Sequence, residues 1–195
     1  MNTPTHLLIN WTLAKPLSNW LERDSYPRSA VLIGAIAPDL PLFGLSLGGA
    51  IWFGWWQGWP ADQVARHLFN NLFFNDPAWI SLHNLLHSPL VCLVAILLLM
   101  VWKQRRCFDS WWTWFFVSCL AHTLVDIPVH HDDGPLLLWP LNWSWRYASP
   151  VSYWDPEHYG QPMMAIEGAL FVMLAARMIA LRWRRGSAMT ATEGG

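Results

Sequence analysis

The sequence predicts an all-α, polytopic membrane helix bundle of about five membrane segments, with four as the alternative, and a Trp- and Pro-rich outer loop over 130–161. Three observations carry this reading. Apolar residues fill 54% of the 195 positions and charged residues 13%, about half the charged share of a soluble domain. Sixteen tryptophans suit a membrane–water interface, where the ring is apolar and the N–H stays wet. Three stretches, 79–102, 110–129 and 163–181, each supply the roughly 20 mostly apolar residues a membrane helix needs.

In chain order, the first candidate segment is 5–21, short and interrupted by Lys15 and Pro16. The second, 29–50, is apolar but broken by "APDLP". Residues 51–78, rich in Trp, Phe and Asn, read as an interfacial loop with a short helix. The three strong spans follow, the last two separated by the 130–161 loop. Residues 1–185 then form one integral membrane domain, and "GSAMTATEGG" at 186–195 reads as a disordered tail. The start, "MNTPTHLLIN", lacks a basic n-region and predicts no cleaved signal peptide. Cys92, Cys107 and Cys119 have no CxxC spacing and read as free thiols. A net charge of −1 gives no footprint for nucleic acid.

Positive charge orients the segments. "KQRR" at 103–106, "RWRR" at 182–185, Arg23 and Arg28 fall on one side only if five segments cross. Every Lys and Arg except Arg66 and Arg146 then faces the cytoplasm. The predicted localisation is the bacterial inner membrane, multi-pass, with a cytoplasmic C-terminus. The same threading collects His6, Asp39, His83, His87, His122, Asp126, His130 and His131 near the outer, periplasmic face.

Spacing sharpens the cluster. "HNLLH" places His83 and His87 on one helical face, and "HTLVD" does the same for His122 and Asp126. An ionisable pair inside an apolar span is costly unless paired or ligated. Imidazole with carboxylate suits zinc, with Mn2+ or Fe2+ as alternatives. His83 and His87 also read as a helix-packing pair, and Asp39 as a cap of the broken helix. In "HHDD", extended chain would put His130 with Asp132, or His131 with Asp133, on one face. His67 and His158 read as interfacial anchors, and Asp155 and Glu157 as turn formers.

The ordered string "TH", "GAIAPDLP", "HNLLHSP", "AHTLVDIPVHHDD" and "LLLWPLNW" resembles the bacterial family of membrane-bound metal-dependent hydrolases, small inner-membrane proteins named for LexA regulation. The likeness covers about the first 145 residues. The string is also similar to a rearranged zinc-dependent phospholipase C. That resemblance implies His6, Asp39, His83 or His87, His122, Asp126, and His130 or His131 as ligands of one or two zinc ions. No final His-x-x-x-Glu follows, since His158 precedes Tyr159, Gly160, Gln161 and Pro162, so a third metal is not implied.

The expected activity is hydrolysis of a phosphoester, a lipid headgroup or lipid-linked phosphate, at the outer membrane face. Asp132 or Asp133 is the expected general base, and Arg146 the expected phosphate-holding residue. Expected partners are membrane lipids and the lipid substrate. The alternative is a non-enzymatic accessory protein that binds a partner complex, with the His/Asp cluster structural.

Overall fold

The computed structural model describes the backbone of residues 1–193, and side chains within that range except those of Arg105, Arg182 and residues 184–193. The described residues are helical outside the loops and form no strand; an isolated bridge pairs Leu136 with Arg146. The helices are α1 (Thr3–Trp20), α2 (Arg28–Ile36), α3 (Leu40–Gly49), α4 (Ala61–Arg66), α5 (Phe73–Asn75), α6 (Pro77–His87), α7 (Pro89–Lys103), α8 (Trp111–Asp126) and α9 (Gly160–Glu193). π-helical turns extend α3 over Ala50–Trp56 and join α4 to α5 over His67–Leu72. Helix therefore occupies most of 51–78, which the sequence reads mainly as loop. Widened turns accommodate bulky aromatics that a regular helical period does not flag. The α9 backbone runs through 186–193 to Glu193, over most of the stretch predicted as a tail, and residues 194–195 lie outside the described residues.

Among the described residues, two helices are long and apolar enough to cross a membrane, Trp111–Val129 and Gly160–Leu181. Two bent pairs also qualify if each is one span: Arg28–Ile36 with Leu40–Trp56, bent by 41°, and Pro77–His87 with Pro89–Lys103, bent by 49°. The count is thus two to four. α1 falls outside this set, because Thr3, Thr5, His6, Asn10 and Lys15 dilute its apolar character.

Both bends have a local cause. Proline lacks the N–H a helix interior needs and disfavours helical geometry in the residue before it. Pro38 marks the first break and Ser88–Pro89 the second, where Pro89 opens α7. Asp76 caps α6, accepting from Ala78 N at 2.9 Å and Trp79 N at 3.1 Å. Broken helices at membrane depth are tolerated where they line a cavity, and both breaks here point to the same one. Asp39 stands at the first break and His87 just before the second.

The core sits between α1, α2 and α8. Ala30, Val31, Ala35, Phe115 and Cys119 are buried there. Gly34 sets the spacing: a Cβ added to it would lie 2.5 Å from the Phe115 carbonyl oxygen. Such small-residue contacts let membrane helices approach closely. Asn10 of α1 reaches across to the Ser118 carbonyl at 2.9 Å and its hydroxyl at 2.8 Å, and Ser118 Oγ donates to the Val31 carbonyl at 2.6 Å. α9 is peripheral: 11% of its span is buried, against 44% for α8. All three cysteines are buried and free, as their spacing predicts.

Candidate metal centre

α8 ends its apolar run with His122 and Asp126 four residues apart, hence on one face. Both are buried, and Asp126 is the hub of the site. Its Oδ1 lies 2.9 Å from His6 Nε2 and 3.5 Å from His130 Nε2, and it accepts from the Met1 amino group at 2.6 Å. Its Oδ2 lies 2.9 Å from His87 Nε2 and 3.2 Å from His122 Nε2. Each carboxylate oxygen thus faces its own pair of imidazoles.

His122 is fixed from behind. Its Nδ1 stands 2.8 Å from the Ala35 carbonyl, which only accepts, so Nδ1 carries the proton. Its Nε2 then faces Asp126 at 3.2 Å and Asp39 Oδ1 at 3.3 Å. It is buried with no hydrogen-bond partner among the described residues. A neutral Nε2 lone pair aimed between two carboxylates is repulsive, and either a proton on Nε2 or a metal cation among the three groups removes the repulsion. Asp39 is steadied by Thr3, whose hydroxyl donates to Oδ2 at 2.5 Å.

Asp39, His87, His122 and Asp126 each offer a ligand atom, all within 4.8 Å of one another. Two nitrogens and two oxygens at this spacing suit a tetrahedral Zn2+, and also Mn2+ or Fe2+. The donor set and the orphaned His122 nitrogen both fit a metal. A histidine ligand normally bonds its other nitrogen to a carbonyl or carboxylate, and the Ala35 carbonyl does this for His122.

His130 follows the same pattern. A 3-10 turn over Ile127–Val129 keeps it on the Asp126 side of the chain. Its Nδ1 pairs with Asp133 Oδ1 at 2.9 Å while Nε2 faces Asp126. Burial works against charge on His130, but the facing carboxylates of Asp126 and Asp133 outweigh it and raise its pKa. Burial likewise opposes ionisation of Asp133, yet the His130 bond wins and lowers its pKa.

His130 is extended and lines the cavity together with Asp132, one of the two sets expected in "HHDD", and a bend over 131–134 adds Asp133, which pairs with His130. His131 turns away, its Nδ1 donating to the Ser149 carbonyl at 2.6 Å and its ring stacked on His158 at 3.5 Å. Asp133 is committed to His130 and to Trp154 Nε1, 2.9 Å from its Oδ2. Asp132 is exposed on the cavity wall. His83 is buried beside the inner group, its ring 4.8 Å from that of His87 and 5.2 Å from that of Phe73. Arg146 donates to the Gly134 carbonyl and lies 5.1 Å over the Phe73 ring, behind the cavity wall. His67 packs on Phe53 and Trp59, and His158 bonds Asp155 at 2.7 Å.

The inner group floors a cavity of about 550 Å³. Its walls are largely apolar, and α6 ties the far wall in place: Asn84 Oδ1 accepts from Leu136 N at 2.9 Å and Ser88 Oγ donates to the Trp139 carbonyl at 3.0 Å. Sequence reasoning missed Arg66, Phe69 and Phe73 as cavity residues. Their 66, 69, 73 spacing is the signal that would have found them. Glu167, in the last apolar span, is buried, and its Oε1 accepts from Asn2 N at 2.6 Å.

No curated protein and no solved structure matches the chain. The profile of the YdjM inner membrane protein family matches residues 1–191, nearly the full length. An all-helical bundle with spans able to cross a membrane accords with that description. The chain belongs to the YdjM inner membrane protein family.

Proposed function

We propose that the protein is a membrane-embedded, metal-dependent hydrolase that cleaves a phosphoester, a lipid headgroup or lipid-linked phosphate, at the periplasmic face. The observation that carries this is His122: Nδ1 is spent on a backbone carbonyl while Nε2 is buried between Asp39 and Asp126. Asp39, His87, His122 and Asp126 would hold the first ion. His6, His130 and the other oxygen of Asp126 form an adjacent group in which the Met1 amino group lies 2.6 Å from Asp126 Oδ1 and 3.0 Å from His130 Nε2, so a second ion there would displace it. A bound zinc supplies Lewis acidity, polarising a phosphoryl oxygen and acidifying water. Asp133 orients His130. Asp132, on the wall and without a committed imidazole, is placed to take the proton of the attacking water.

Elemental mass spectrometry of freshly purified protein tests the reading, and one or two zinc per chain is expected. Asp132→Asn should keep that metal and slow hydrolysis of a phospholipid or lipid phosphate by ~100-fold or more. Asp133→Asn should instead weaken metal affinity by roughly 10–100-fold, as loss of an outer carboxylate does. Metal-free wild type would sink the reading and leave the polar cluster as a structural layer of a partner-binding accessory protein.

The orientation proposed is five crossings with a cytoplasmic C-terminus. α1 starts at the metal site and ends near Arg23, whose Nη1 bonds Asp109 Oδ1 at 2.8 Å, just before α8 begins. α1 therefore runs the length of α8 in the opposite direction, and the basic 103–106 stretch shares the end remote from Asp126. Periplasm-sensitive reporters fused after Trp143 and after Gln104 should give opposite signals. The same signal from both would overturn the topology.

A further inference from the structure

The cavity above the metal site has two chemistries. Its floor is Asp39, His87 and Asp126, and its walls include Leu42, Phe69, Phe73, Phe74 and Trp154. A volume of about 550 Å³ falls in the ~300–1,000 Å³ range of small-molecule sites. A small hydrophilic phosphate would leave those rings facing water, so the walls call for a ligand with its own apolar segment.

The α4–α5 segment builds one wall. Val64 and Leu68 are buried against Leu42, Leu45, Phe53 and Trp59, which fixes the segment on α3. Its other side carries Arg66, Phe69, Asn70 and Phe73 into the cavity. Phe69 and Phe74 are 44% and 38% exposed, apolar rings turned to an open space beside a polar floor.

Among the described lining residues Arg66 is the arginine, beside the histidines His83, His87 and His130 of the floor and wall. Its Nη2 is 2.6 Å from Asp62 Oδ2, with both side chains about two-thirds exposed, at 65% and 66%. An exposed i,i+4 pair holds little energy, so the guanidinium yields readily to a phosphate, which it can bind bidentately. Arg146 has no such freedom. It is spent on the Gly134 carbonyl and lies over the Phe73 and Phe74 rings, where it buttresses the wall.

We propose that this cavity binds a phosphate-bearing amphiphile from the outer leaflet, its phosphate held between the metal site and Arg66 and its hydrocarbon chain lying along Phe69, Phe73 and Phe74. The proposal rests on the metal-site reading and deepens it by naming the residue that selects the phosphate and the wall that takes the chain.

The test uses a dodecyl phosphate with a diazirine at the chain end, photolysed in native membranes, with labelled residues mapped by peptide mass spectrometry. Label should concentrate at Phe69, Phe73, Phe74 or Trp154. The lipid-facing side of α9 gives an internal measure of non-specific labelling and of correct insertion. Arg66→Ala should reduce cavity label about tenfold, the loss of one charge-assisted pair, with α9 label unchanged. A matched dodecyl alcohol probe should label the cavity no more than α9. Excess glycerol phosphate should compete poorly; effective competition would assign the site to soluble phosphates and overturn the amphiphile. Cavity label unmoved by Arg66→Ala, or no enrichment over α9, also overturns it. Metal content is read on the same preparations. Metal present without enrichment defeats this proposal alone, and enrichment without metal defeats the hydrolase reading and with it the placement of the phosphate against the metal site.

Discussion

Replacing Asp126 with asparagine should leave the purified protein with less than ~10% of the metal the proposed site would hold, because a carboxylate in the proposed ligand set becomes a neutral amide. The substitution preserves shape, so the loss is one of charge and lone pairs. In the wild type, both oxygens of Asp126 serve: Oδ1 faces His6 and His130, Oδ2 faces His87 and His122. An asparagine must turn an NH2 toward one of these pairs, placing a donor where a metal or an imidazole N–H would sit. His122 cannot compensate, because the Ala35 carbonyl fixes its tautomer. Removing one partner from a buried charged group costs about 3–5 kcal/mol. A retained metal also stabilises the native state by about 4 kcal/mol when free ion stands at 1,000 times its Kd. Thermal unfolding should therefore drop sharply, and chelator-treated wild type should lose a comparable share of its stability. Asp132→Asn, on the exposed wall, should change neither metal content nor unfolding. A fully metallated Asp126→Asn protein would show that the hub is not a ligand.

Much of this site was legible because α-helical spacing reports directly on shared faces. "HTLVD" places His122 with Asp126 without any long-range information, and "APDLP" marks a break at which a carboxylate stands. What the sequence could not resolve was direction at chain breaks. His83 and His87 share a face of α6, but His87, one turn further along and next to the break at Ser88–Pro89, reaches Asp126, while His83 stays on the cavity wall. In "HHDD" the Ile127–Val129 turn continues helical spacing so that His130 faces Asp126, and the bend over 131–134 brings Asp133 back to His130 while His131 turns to the Ser149 carbonyl. The sequence points to Arg146 as the phosphate-holding cation, whereas in the structure Arg66 lines the cavity and Arg146 lies over the Phe73 and Phe74 rings; tertiary packing, which the sequence does not show, separates the two. The bundle's apolar spans were readable from length and composition, whereas the π-helical turns of 51–78 have no comparable periodic signature.

The close approach of α2 and α8 yields a prediction that runs against helix propensity. In an exposed helix, Gly→Ala stabilises by about 0.8–1 kcal/mol. At Gly34 the new Cβ would meet the Phe115 carbonyl oxygen at 2.5 Å and Ser118 Cβ at 2.8 Å. The first of these is backbone, which has no rotamer to adopt, so the helices must separate. Overpacking of this kind costs about 1–3 kcal/mol and reverses the sign. The site is affected because its parts ride on the two helices: α2 supplies the Ala35 carbonyl that fixes His122 and leads directly into Asp39, while α8 carries His122 and Asp126. Ser118 Oγ, 2.6 Å from the Val31 carbonyl, would be strained by the same shift. Gly34→Ala should thus lower the unfolding temperature and the metal content together. Gly168→Ala, on α9 with nothing within 4 Å of its added Cβ, should leave metal unchanged and slightly raise the unfolding temperature. If the two variants behave alike, helix separation does not govern the site, and the link drawn from Gly34 through Ala35 to His122 fails.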